Sequence, residues 1–89
     1  MFAQALVEFI GTFIFLSVIL SKGEAIPIAI ALAAVIFFGG SVSGGHFNPA
    51  VTFMQTVGGS MSVATAVVYV LAQLLGAGSA FGFAKYVKA

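Results

Sequence analysis

The chain is 89 residues long, 62% hydrophobic and 6% charged, with a formal net charge of +1. No water-soluble domain of this size could cover so much apolar surface, so the composition predicts one small domain of an integral, multi-pass membrane protein. There is no cysteine and one histidine, which excludes disulfides and leaves no credible zinc site. The small net charge gives no indication of nucleic-acid binding, and we expect no cofactor.

The first predicted membrane-spanning helix covers about residues 5–21, which reaches the lower limit of a spanning length. It lacks the basic start and small-residue cleavage site of a signal peptide, so we expect it to be retained. Glu8 is the one ionisable residue within it. A carboxylate inside a span is costly, so Glu8 is either hydrated near the interface or turned toward protein groups that bind it.

The second predicted span covers about residues 26–42, after a short polar turn at 21–24. Pro27 suits the first turn of a helix, where the missing N–H of proline costs nothing. Alanines dominate the run that follows, and small side chains allow close contact between helices in a membrane.

The most polar stretch, residues 43–52, reads Ser-Gly-Gly-His-Phe-Asn-Pro-Ala-Val-Thr. Its first part is not regular helix, because the glycine pair 44–45 is flexible and a residue before proline avoids the α region. Asn48 is a favoured N-cap and Pro49 a favoured first helical residue. The pattern therefore predicts an extended strip that leads into a new helix.

That new helix ends at the glycine pair 58–59, because glycine commonly terminates helices. About nine residues at 1.5 Å each fall far short of a bilayer core of roughly 30 Å. A break of this kind is tolerated at membrane depth only where protein buries it or it lines a wet cavity. The sequence thus predicts a re-entrant loop and half-helix over about residues 43–57.

The third predicted span covers about residues 62–86 and includes one polar residue, Gln73, that could bond to a neighbouring helix. Two pairs of small residues at four-residue spacing also allow close helix contact. These pairs are Gly76 with Ala80 and Gly78 with Gly82. Tyr86 with the lysines at 85 and 88 is typical of an anchor at the membrane interface.

Residues 43–52 resemble the first pore loop of the aquaporin (major intrinsic protein) family, with its Asn-Pro-Ala box. The segments 8–13, Glu-Phe-Ile-Gly-Thr-Phe, and 69–73, Tyr-Val-Leu-Ala-Gln, resemble the first and third helices of that family. The resemblance covers nearly the whole chain but only one of the two family repeats. It implies an all-α membrane protein in which residues 1–89 form a single repeat, with three transmembrane helices and one re-entrant half-helix in half of a right-handed bundle.

The resemblance assigns the pore residues to the loop. It places Asn48, Pro49 and Ala50 at the channel, and the backbone carbonyls of Gly44, Gly45 and His46 along its wall. Those carbonyls would form a ladder of acceptors, and the Asn48 side chain would supply an N–H donor. The half-helix N-terminus behind it carries roughly half a positive charge, which disfavours cations. We expect the His46 ring to pack against neighbours such as Glu8 and to perform no acid–base chemistry.

Two further pairs of residues follow from the same resemblance. Glu8 and Gln73 would support the loop from the first and third helices. Ile28 falls where the family has a bulky aromatic filter residue, and Val51 where the second repeat has an arginine. This chain has no arginine at all, so we expect a more apolar filter with relaxed selectivity.

The function implied is a passive channel for water, small neutral solutes such as glycerol, or both, and not an enzyme. One repeat alone would leave its loop facing lipid, so we expect a second, inverted copy, giving an antiparallel homodimer that could assemble further as a tetramer of dimers. A truncated first repeat completed by another chain, and a non-conducting membrane interaction protein, remain alternatives. The lysines at 22, 85 and 88 all fall on one side, opposite the N-terminal amine, which favours a single orientation with that side in the cytoplasm.

Overall fold

The structure, a computed structural model, describes residues 1–88, and for Lys88 its backbone alone. This part of the chain is helical, without strands, and has four α-helices followed by a π-helical turn. They are α1 (Phe2–Ser21), α2 (Ala25–Ser43), α3 (Pro49–Val57) and α4 (Val63–Phe83), with the π-helical turn at Ala84–Lys88. The predicted all-α class is confirmed.

Three of the helices are long and apolar enough to cross a membrane, as the sequence predicted: Phe2–Ser21, Ala25–Ser43 and Val63–Val87. Helix α1 begins at Phe2, before the predicted start near residue 5, because the Ala5 N–H already bonds to the Met1 carbonyl at 3.0 Å. Helix α3 has nine residues, about 14 Å, and cannot span the bilayer.

Helix α1 lies between α2 and α4, while α3 packs on α4 and on no other helix within residues 1–88. Helices α1 and α4 run in the same direction and meet most closely at Gly76, where a Cβ would lie 2.7 Å from the Phe9 carbonyl oxygen. Ala80, on the same face, is fully buried. The pair Gly78 and Gly82 faces open space instead, so within residues 1–88 one of the two predicted small-residue pairs serves packing and the other does not.

Helices α1 and α2 also cross at glycines, and the ring of Phe47 lies in this crossing. A Cβ at Gly39 would lie 2.6 Å from Val7 Cγ1, and a Cβ at Gly11 would overlap the Phe47 ring. Gly11 is the tenth of the twenty residues of α1, so the loop residue Phe47 reaches the middle of a helix about 30 Å long. The segment between α2 and α3 is therefore re-entrant in its geometry.

Candidate functional site

The loop between α2 and α3 depends on left-handed backbone conformations. Helix α2 ends at Ser43 and is capped by Gly44, whose φ is +88° and whose N–H bonds to the Gly40 carbonyl at 2.9 Å. Gly45 is also left-handed, with φ at +67°. Phe47 has φ at +54°, which costs a residue with a side chain roughly 1–3 kcal/mol. The ring of Phe47 is 2% exposed, and its burial in the α1–α2 crossing offsets that strain.

Helix α3 begins as the sequence pattern indicates. Asn48 is its N-cap, and the Asn48 Oδ1 atom accepts the Ala50 N–H at 2.8 Å. Pro49 is the first helical residue. Asn48 is exposed, and the cap uses its Oδ1 atom. Its Nδ2 amide group makes no hydrogen bond within residues 1–88.

Glu8 is fully buried and accepts four hydrogen bonds. Of the two alternatives, it is therefore turned toward protein groups that bind it, and it is not hydrated near the interface. Its Oε2 atom accepts from the Ser43 hydroxyl at 2.8 Å and from the His46 N–H at 3.0 Å. Its Oε1 atom accepts from the Phe47 N–H at 2.8 Å and from Gln73 Nε2 at 2.9 Å. One carboxylate on α1 thus joins the end of α2, two loop amides and α4.

A second set of contacts continues from Gln73 into the half-helix. Gln73 Nε2 also donates to Thr52 Oγ1 at 2.8 Å, and Thr52 Oγ1 lies 2.8 Å from His46 Nδ1. Both Gln73 and Thr52 are buried. The Tyr69 hydroxyl donates to the Ser43 carbonyl at 2.6 Å, and the Tyr69 and His46 rings lie 5.0 Å apart.

The His46 ring is thus held by Thr52 and Tyr69, and Glu8 meets the His46 backbone N–H rather than the ring. Sequence analysis did not select Thr52 or Tyr69 as site residues. The available signal was their polarity within apolar helices, since a buried polar group needs a partner.

The carbonyls of Gly44, Gly45 and His46 receive no hydrogen bond from residues 1–88. They lie in the loop directly before the exposed tip formed by Asn48, Pro49 and Ala50. At these three residues the loop therefore has unused acceptors within residues 1–88, and Asn48 adds one unused amide group. Nothing among residues 1–88 groups three metal-ligating side chains.

The structure does not bring the two predicted filter residues together. Ile28 lies in the first turn of α2, and Val51 lies in the first turn of α3. Both are half-buried, and helices α2 and α3 make no contact within the described part of the chain. A constriction that uses both positions requires residues from beyond one copy of residues 1–88.

Three spans around a buried carboxylate, with a loop that returns at mid-depth into a capped half-helix, define a membrane protein of the re-entrant-loop class. The family model for the major intrinsic protein matches residues 21–89. The chain belongs to the major intrinsic protein family, as the sequence resemblance indicated. It is accordingly an integral membrane protein from a family of channels rather than enzymes.

Individual relatives agree with this assignment. The chain is 40% identical over 81 residues to the glycerol uptake facilitator protein-like 6 of Lactiplantibacillus plantarum, with 81% of this chain and 38% of the relative covered. It is 51% identical over 57 residues to aquaporin TIP2-1 of Arabidopsis thaliana, with 64% of this chain and 23% of the relative covered. A probable aquaporin of TIP type from Medicago truncatula is 39% identical over 90 residues, with 80% and 36% covered.

The chain therefore spans less than two fifths of the length of these relatives. No solved structure matches the chain.

Proposed function

We propose that the chain forms half of a passive channel for water and small neutral solutes such as glycerol. The observation that carries this proposal is the Glu8 site, which holds the loop at mid-depth while the carbonyls of Gly44, Gly45 and His46 stay unbonded. Relatives named as aquaporins and as a glycerol uptake facilitator support the same solute class.

The loop chemistry suits neutral molecules that exchange hydrogen bonds. The three carbonyls accept in sequence, and the Asn48 amide donates at the tip of α3. The N-terminus of α3 adds a positive partial charge of roughly 0.5, which opposes the entry of cations. An ion would lose its hydration shell against too few replacement groups, whereas water or an alcohol loses little.

The other half of the channel, we propose, is a second copy in inverted orientation. Unbonded carbonyls that faced hydrocarbon would each cost several kcal/mol, so the loop needs a protein or aqueous neighbour. In an antiparallel homodimer, Ile28 of one copy and Val51 of the other would contribute to the same constriction. Such a dimer has six spans and two half-helices, and four such dimers could assemble into a tetramer of dimers.

The filter built in this way would be apolar. Ile28 and Val51 supply neither an aromatic ring nor a positive charge, so we expect relaxed selectivity among neutral solutes. The variant Val51→Arg should lower glycerol permeability relative to water, because a long cationic side chain narrows and charges the constriction. Unchanged permeability for both solutes in a conducting channel would refute this role for Val51.

One observation favours a different partner. Lys22 follows α1 and Lys85 follows α4, and because α1 and α4 run in the same direction, both lysines lie at one end of the bundle. A one-sided set of lysines favours a fixed orientation. In that case another polypeptide would supply the second half. Reporter fusions at each terminus separate the two candidates, because one fixed orientation excludes the inverted homodimer.

The decisive test of conduction is stopped-flow light scattering of liposomes that contain only the purified chain, under an osmotic step. We expect fast shrinkage with a low activation energy. Asn48→Asp should abolish it, because Asp keeps the capping oxygen but replaces the amide donor with a negative charge. Gln4→Glu, which adds the same charge on α1 outside the loop, should conduct normally. Shrinkage no faster than that of empty liposomes, with insertion verified, would refute conduction by this chain alone.

A further inference from the structure

The hydrogen bonds that leave Glu8 have a fixed direction. Three of its four partners, the N–H groups of His46 and Phe47 and the amide Nε2 of Gln73, can only donate. The Gln73 side chain must therefore point its NH₂ group at Glu8, and it cannot be turned over without placing two acceptors against each other. The second hydrogen on Gln73 Nε2 is then available to Thr52.

The direction continues through Thr52 into the histidine ring. Thr52 Oγ1 accepts from Gln73, and among residues 1–88 His46 Nδ1, 2.8 Å away, is its one other hydrogen-bond partner. The single proton of Thr52 therefore has a partner only when it donates to Nδ1. A neutral imidazole whose Nδ1 accepts carries its proton on Nε2. The buried carboxylate on α1 thus determines, through two intermediate side chains, which nitrogen of His46 is the donor.

The position of His46 Nε2 makes it available as a hydrogen-bond donor. Nε2 is the atom nearest to the site of a Cβ on Gly44, at 3.5 Å, and Gly44 is exposed. Nε2 makes no hydrogen bond within residues 1–88, yet it is not among the fully buried polar atoms without a partner, so part of it is accessible. An accessible N–H group therefore lies beside Gly44, the first residue whose loop carbonyl is unbonded.

We propose that His46 Nε2–H is a second fixed donor site for the oxygen of a passing solute, and that Thr52 is the positioning residue that holds it in this state. This inference rests on the proposed channel function. Two donors, at Asn48 and His46, on the same loop as the three carbonyl acceptors match a group that donates and accepts at once. The solute class selected is the neutral hydroxyl compound, including water and small polyols.

The protonation state can be measured directly, because His46 is the sole histidine of the chain. In ¹⁵N-histidine-labelled protein in lipid, NMR separates the protonated from the unprotonated ring nitrogen by chemical shift. We expect the Nε2–H form in the native chain and in Thr52→Ser, which keeps the hydroxyl. Thr52→Val, which removes it, should produce a mixture with the Nδ1–H form.

The matched control is Thr56→Val, one turn later on α3. Among residues 1–88 the Thr56 hydroxyl bonds to the Thr52 backbone carbonyl alone, at 2.7 Å, so its loss should leave the His46 spectrum unchanged. A native chain in the Nδ1–H form would overturn the inference, and this result needs no variant to fold. A pure Nε2–H form in Thr52→Val would also overturn the role of Thr52.

Transport supplies the second measurement. Thr52→Val should lower water permeability roughly fivefold, the effect of about 1 kcal/mol for one lost hydrogen bond at the barrier, while Thr52→Ser and Thr56→Val stay near the native rate. A shifted protonation state with native permeability would overturn the solute-donor role of His46. A native chain that inserts but conducts nothing overturns the proposed function and this donor role together, while the NMR result still decides the role of Thr52.

Discussion

Replacing Glu8 with glutamine tests whether one buried carboxylate holds the re-entrant loop. Glutamine has nearly the same shape, but one acceptor oxygen becomes an NH₂ donor. That group best takes the place of Oε2, where the Ser43 hydroxyl can turn and accept from it, because a hydroxyl both donates and accepts. The His46 N–H then faces another donor and loses its bond, while the Phe47 N–H and Gln73 Nε2 keep bonds to an oxygen that is no longer charged.

The size of the effect follows from these four contacts. A hydrogen bond to a charged group contributes about 1.5–3 kcal/mol and a neutral one about 0.5–1.5 kcal/mol, so one lost bond and three weakened bonds cost roughly 4–7 kcal/mol. Burial of a neutral amide costs less than burial of a carboxylate, which returns part of this. We expect a net loss of about 3 kcal/mol in the free energy of opening the loop, or roughly 150-fold in the opening equilibrium.

Amide hydrogen exchange of the chain in lipid or detergent measures this opening at the His46 and Phe47 N–H groups. Exchange at both should accelerate by about two orders of magnitude in Glu8→Gln, following the expected shift in local opening. Glu24→Gln is the matched control, because Glu24 is exposed and its side chain makes no capping bond. Native exchange rates at both amides in Glu8→Gln would refute the idea that Glu8 holds the loop.

Three further predictions concern the packing around the loop, each measured as a change in thermal or denaturant unfolding in micelles by circular dichroism. Gly76→Ala should destabilise the chain by roughly 2 kcal/mol or more, because its Cβ meets rigid α1 backbone. Gly78→Ala, in open space on the same helix, should be neutral or stabilise by up to about 1 kcal/mol. Equal effects at both sites would contradict the close contact of Gly76 with α1. Tyr69→Phe should cost about 1 kcal/mol by removing the hydroxyl that bonds the last carbonyl of α2, and a neutral result would argue against that bond. Phe47→Ala should cost about 3–5 kcal/mol by emptying the α1–α2 crossing, whereas Phe53→Ala, at a residue 70% exposed, should cost little. Similar losses in both variants would contradict the placement of the Phe47 ring in that crossing.

The sequence was sufficient for the features that depend on local chemistry. Asn48 as N-cap and Pro49 as first helical residue specify where α3 begins, and the lengths of the apolar runs identify the three spans. These features need no knowledge of distant contacts, so capping rules and hydropathy were enough.

The features that escaped prediction depend on contacts between distant residues. No local rule places the loop residue Phe47 in a left-handed conformation, because its ring fits the gap left by glycines on α1 and α2. Thr52 reads as an ordinary half-helix residue until Gln73, 21 positions later, is brought beside it. Tyr69 likewise gains its partner from the end of α2, 26 positions earlier.

The arrangement of Glu8 has a consequence for how the chain is assembled in the membrane. Its partners lie 35 to 65 positions later in the sequence, and the last of them, Gln73, is on the final span. The half-helix α3 packs on that same span and on no other helix among residues 1–88. During synthesis, α1 and α2 already offer the loop Glu8 and the crossing that holds Phe47, but α3 has no helix to pack on until α4 follows. The half-helix must therefore wait for α4 before it can dock, and damage to α4 would leave α3 without the helix it packs on.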